Sequence, residues 1–172
     1  MATSIFSRKV DLVYLVFFAI HLVVMLNVDL YPLWPSQLRP AYMTTLRQFY
    51  ISTYRDQFFV SPPAWFNVYI YLELIYHVPL CLWVIPAILN NDARVPIQLL
   101  IYAVVTGVTT LTCIADFMSW KAVSAAEKVE LGKLYVPYLA VSVFMGVDML
   151  ARLNAVVAGS KTPVTVGGKK KR

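Results

Sequence analysis

The sequence predicts an all-α membrane protein: a bundle of four transmembrane helices with a proline-rich lumenal loop between the first two. Three observations carry this. Of 172 residues, 59% are hydrophobic and only 14% charged, too few polar side chains to cover a soluble domain of that size. The apolar residues fall into four runs, 10–28, 64–89, 95–117 and 131–153, each near the ~20 residues that a helix needs to cross a bilayer. The second run also carries Glu73 and His77, groups costly enough inside a membrane to mark a site.

Arg8 and Lys9 precede the first run, which ends at Asn27, Asp29 and Tyr31. It is longer than a signal-peptide core and lacks a small-residue cleavage site, so a retained span is expected. Residues 29–63 then carry Pro32, Pro35, Pro40, Pro62 and Pro63. Within them, 41–59 predicts a short amphipathic helix whose Tyr42, Leu46, Phe49 and Tyr50 face the lipid or the bundle. The turn 90–94 is short, so the second and third spans are antiparallel neighbours. Residues 119–130 form a polar connection, and the fourth run is expected to break at Pro137. The membrane domain spans residues 8–155, and 156–172, with Gly159, Gly167 and Gly168, reads as a disordered basic tail.

Nine of the lysines and arginines lie at the two ends and in the second connection; five lie in the first and third connections, with Lys133 at a boundary. The positive-inside rule therefore places both termini in the cytosol. Lys169 and Lys170 stand four and three places from the carboxyl end. They read either as a dilysine retrieval signal to the endoplasmic reticulum or as part of a polybasic patch for anionic lipid. The net charge of +6 draws four positives from that tail, and no basic stripe suits nucleic acid. Cys81 and Cys113 lie in apolar runs and point to no disulfide framework and no metal site; no cofactor is expected.

Glu73 and His77, four residues apart, share a helical face. Pro79 should bend the helix and leave the carbonyl of Ile75 free, which together predict a pocket. Asp29 has two readings: a helix-end residue among headgroups, or a carboxyl that the proline-rich loop folds against Glu73. In the second, one acid keeps its proton and the pair holds a single negative charge that attracts amines. His77 and His21 are each either a core histidine or a proton carrier. Asp56 either caps backbone N–H groups or is solvated, and Asp148 pairs with Arg152 one turn on. Asp116, at the end of the third run, is interfacial. Thr109, Thr110 and Thr112 satisfy carbonyls of their own helix, unless Thr110 turns to a ligand. No hydrolase, zinc-protease or phosphate-loop motif is present. Acid–base chemistry by Glu73 and His77 on a buried double bond stays open.

Several strings taken together resemble one family. They are Val28-Asp29-Leu30 with Pro35, Leu38 and Pro40; Arg55-Asp56; Pro62-Pro63-Ala64-Trp65-Phe66; Glu73-Leu74 with Pro79; Thr109-Thr110-Leu111; and Tyr135 with Pro137-Tyr138-Leu139. The pattern resembles the sigma-2 receptor (transmembrane protein 97) family, part of the EXPERA group that also contains the emopamil-binding sterol isomerase. It covers residues 8–155 in order. The resemblance implies a protein of the endoplasmic-reticulum membrane, often a homodimer, whose pocket takes sterols and cationic amphiphiles. It also implies a role in sterol homeostasis or transport, with a lipid-transport protein as partner. Carried over, Asp29 meets a ligand amine, Glu73 is the protonated acid bonded to it, Asp56 holds the lumenal loop, and Thr110 and Tyr50 line the pocket. The basic tail favours retrieval for Lys169 and Lys170. One departure is His77, where the sigma-2 pattern has glutamine and the isomerase branch uses histidine and glutamate.

Three functions follow: a binder of sterols and amine-bearing lipids; a sterol or terpenoid double-bond isomerase using His77 and Glu73; and a structural or chaperone subunit whose pocket is filled by side chains.

Overall fold

Helices with no polar partner on one side need hydrocarbon there, and every long helix of this protein has such a face. The computed structural model describes residues 4–160. Four helices are long and apolar enough to cross a membrane: α1, Lys9–Asp29; α4, Ala64–Leu89; α5, Val95–Ser119; and α6, Ala125–Gly159. Two shorter ones, α2 (Ala41–Tyr54) and α3 (Gln57–Val60), fill the proline-rich connection. Among the described residues there is no strand. Val13, Val16, Ile20 and Val23 of α1 are exposed, as are Val143, Val147 and Leu150 of α6. Such stripes are stable only against lipid, the solvent in which helices satisfy their own backbone.

The helices start and stop for local reasons. The backbone N–H and side chain of Ser124 bond Glu127, whose own N–H bonds Ser124 Oγ, a capping box that starts α6 six residues before the fourth apolar run. The polar connection expected over 119–130 is thus confined to 120–124. Arg55, with φ of 50°, ends α2 in the left-handed conformation. α6 passes through Pro137 as one unbroken helix to Gly159, against the expectation of a break. A proline in a spanning helix is tolerated where neighbouring helices hold the chain, and α6 packs along α5 for much of its length. The helix also claims residues 156–159 from the expected tail; Lys169 and Lys170 lie outside the described residues. Small residues bring the pair close, since a Cβ on Gly107 would stand 3.3 Å from Ser142 Oγ.

One end of the bundle is tied by a charge network. Arg152 of α6 reaches Asp11 of α1 at 2.7 Å and Asp148 of its own helix at 2.9 Å. Tyr14 donates to Asp148 at 2.9 Å. Arg8 bonds Asp11 at 2.8 Å and the carbonyl of Ile88 at 2.7 Å. The network places the start of α1, the end of α4 and the late turns of α6 at the same end of the bundle. The Asp148–Arg152 pair was legible from spacing; Asp11, inside the first apolar run, was not. Removing Arg152 leaves Asp148 without its cation and Asp11 with Arg8 alone, both partly desolvated. Arg152→Ala is expected to cost about 1–3 kcal/mol, below the ~3–5 of a fully buried pair because Arg152 is partly exposed. Thermal unfolding in detergent micelles measures it.

Candidate functional site

Two of the long helices each contain one turn that is too wide. In α1 the turn spans Met25–Asp29, with the Leu30 N–H bonded to the Met25 carbonyl at 2.9 Å. In α4 it spans Glu73–His77, with the Val78 N–H bonded to the Glu73 carbonyl. Such i→i+5 turns add a residue, re-aim the side chains and frequently mark functional sites. Pro79, which cannot donate to Ile75, follows directly. Ile75 and Pro79 are exposed on the outer face. The pocket lies on the other face of the same turn, where Glu73 and His77 point inward.

That inner face closes on a cavity of about 320 Å³ between the four long helices and the folded connection, within the range of small-molecule sites. Tyr50 of α2 and Phe59 of α3 reach it, so the proline-rich connection folds back as a lid rather than hanging free. Asp29, Glu73 and Thr110 line it, and so do His77 and His21. The walls between them are apolar and aromatic: Val28, Phe66, Ile70, Tyr135 and Tyr138. Asp29, Glu73, His77, Thr110 and Tyr50, far apart in sequence, therefore meet at one hollow.

Both acids line the hollow. Glu73 Oε2 is buried without a partner.

Asp56 stands outside the lining and is fully buried. Its Oδ1 accepts from the Phe58 N–H at 2.9 Å, capping α3. Its Oδ2 accepts from Tyr50 at 2.9 Å and Tyr135 at 2.8 Å. Burial pushes its carboxyl above the ordinary range, and the three donors pull it part of the way back. Burial likewise pushes the Tyr50 phenol up. Both tyrosines also line the cavity, so Asp56 pins the lid to α6 through two wall residues. Thr109 and Thr112 bond carbonyls of their own helix, at 3.1 and 2.8 Å. Asp116 accepts from Trp120 Nε1 at 3.1 Å.

Thr106 also lines the cavity and was not singled out from the sequence, although Tyr102, Thr106 and Thr110 repeat every fourth residue. That spacing, on one face of α5, was the available signal.

Four apolar helices around an acid-lined hollow define a multi-pass membrane protein with an intramembrane cavity. The family model described as EXPERA (EXPanded EBP superfamily) matches residues 42–149, and this chain belongs to that family. The matched stretch contains Tyr50, Asp56, Glu73, His77 and Thr110; Asp29 precedes it. The chain is 32% identical to the efficient mitochondria targeting-associated protein 19 of Schizosaccharomyces pombe, over 90% of this chain and 85% of that one. It is 22% identical to the sigma intracellular receptor 2 of Xenopus tropicalis, over 86% and 91%. To the human sigma intracellular receptor 2 it is 24% identical, over 78% and 83%.

Asp56→Ala strips the α3 cap and leaves two phenols and an N–H unpaired. The expected loss is roughly 3–7 kcal/mol, from a cap worth ~1 and two buried phenols left unpaired at ~1–3 each. It appears as a lower unfolding midpoint and as earlier protease cleavage between α2 and α4.

Proposed function

We propose that this protein binds sterols and cationic amphiphiles in its intramembrane cavity and thereby influences sterol homeostasis or transport. The observation that supports this best is the joint placement of Asp29 and Glu73 on one largely apolar hollow. Two carboxyls in low dielectric do not both ionise cheaply, so the pair carries one negative charge. A ligand ammonium seated between them neutralises that charge, and its apolar body fills the aromatic walls. Family membership supports the same reading. The protein sits in the endoplasmic-reticulum membrane with both termini in the cytosol, retrieved through Lys169 and Lys170. A homodimer and a lipid-transport protein complete the expected partners.

A second reading is supported by His77, which shares the cavity with Glu73. In it the two act as proton donor and acceptor on a sterol or terpenoid double bond. The name of the fission-yeast relative speaks of targeting to mitochondria; for this chain, such a role would be a consequence of which lipid the cavity holds. The open cavity speaks against a purely structural subunit.

Asp29→Asn in purified protein is expected to weaken binding of a radiolabelled cationic amphiphile at least about tenfold, the loss of a charge-assisted bond of ~1.5–3 kcal/mol. Full retention of binding by a folded variant would count decisively against the reading. For the isomerase, membranes incubated with a sterol carrying an 8,9 double bond should show migration that His77→Ala abolishes. Product undiminished in that variant, or no product from folded protein, removes the idea.

A further inference from the structure

The part of the cavity away from the lid holds a set of polar atoms that nothing so far employs. His21 precedes Asp29 by eight residues on α1, roughly 12 Å along the axis at ~1.5 Å per residue. His77 follows Glu73 by one turn on the antiparallel α4. The two imidazoles thus meet deeper in the bundle than the acids, with ring centroids 5.9 Å apart and planes at 60°. Their relative exposures are 5% and 4%, and all four ring nitrogens lack a hydrogen-bond partner. Tyr102 and Thr106, one turn apart on α5, also have buried hydroxyls without a partner. Both histidines line the hollow. Phe17 stacks on His21 at 5.6 Å, and Tyr102 packs against His77 at 4.9 Å, fixing the rings from behind.

Orphan nitrogens at this depth are costly, since nothing in hydrocarbon can bond them. What would satisfy them is constrained by their chemistry. An unpaired, buried imidazole adopts the neutral form, with one N–H donor and one bare acceptor nitrogen. A hydroxyl serves both rings by donating to one and accepting from the other. A carbonyl serves both only if both rings turn an N–H to it, and an ammonium only if both turn a bare nitrogen, whereas a hydroxyl fits the mixed arrangement. We propose that His21 and His77 form a hydroxyl-recognition subsite at the deep end of the cavity, which takes the alcohol of a neutral lipid such as a 3-hydroxysterol. This inference rests on the proposed sterol binding and specifies it. The cavity then has two addresses: acids for a cation and imidazoles for an alcohol. Because the alcohol sits well away from Asp29, its recognition does not depend on that acid.

The test is competition for tritiated cholesterol bound to the full chain in lipid nanodiscs, comparing cholesterol with its 3-O-methyl ether, which accepts but cannot donate. The expected result is a preference for the free alcohol of about tenfold, the order of one lost hydrogen bond with a partner left unpaired. His21→Phe and His77→Phe should bring the ratio near one while keeping methyl-ether affinity. His77→Gln, whose amide both donates and accepts, should restore most of the preference. Equal binding of alcohol and ether by the native chain, a preference that survives both phenylalanine variants, or no cholesterol binding at all overturns the proposal. A cationic amphiphile measured in parallel separates the two ideas. If it binds in an Asp29-dependent way while the alcohol preference is missing, the subsite alone is wrong; if neither probe binds, the parent reading falls as well. If an ordered water rather than a ligand alcohol bridges the rings, alcohol and ether bind alike, which is the overturning result.

Discussion

A polar group carried into hydrocarbon must find its partner inside the protein, because the surrounding lipid offers none. This constraint organises the molecule. The helices themselves are easily formed, with their outer stripes of valine, isoleucine and leucine left to the lipid. Their arrangement follows from where the few acids, bases and hydroxyls go. At one end, Asp11, Asp148, Arg8, Arg152 and Tyr14 balance charge against charge and bind α1, α4 and α6 together. At the other, Asp56 gathers three donors and fastens the connection between the first two spans across the bundle.

Between those two satisfied clusters lies a zone where the same rule is left unmet. Glu73 Oε2 and the nitrogens of His21 and His77 are buried and unbonded, and all three residues face a hollow instead of packed side chains. A core built only for stability would fill such a space with apolar side chains, which cost nothing to desolvate. Widened turns at Met25–Asp29 and Glu73–His77 turn polar side chains into the hollow where regular helix would aim them elsewhere. The widened turns and the orphans occur together, as expected where structure is spent on binding.

Much of this was legible in the chain. Four apolar runs with few charges allow hardly any other fold, since ~20 residues without water must be helical and must cross. Residues 64–89 were bounded without error because Pro63 and the 90–94 turn punctuate both ends. The fourth helix was cut short at both ends and at Pro137. Its capping box lies in a polar stretch that composition alone assigns to a loop, and its proline is carried by contact with α5. Asp11 went unnoticed because one acid in an apolar run has meaning only once Arg152, far along the chain, is seen beside it.

The sequence by itself settled the solvent, the number of spans and the short list of polar residues that had to be accounted for, because hydrophobicity and helical period are local properties. Only the tertiary structure decided which of those residues are partners. It spent Asp56 on the lid and Asp148 on Arg152, and left Asp29, Glu73, His21 and His77 around an unfilled space. Pairing is a relation between helices, set by how their wide turns and small residues let them approach, and no single stretch of chain contains it.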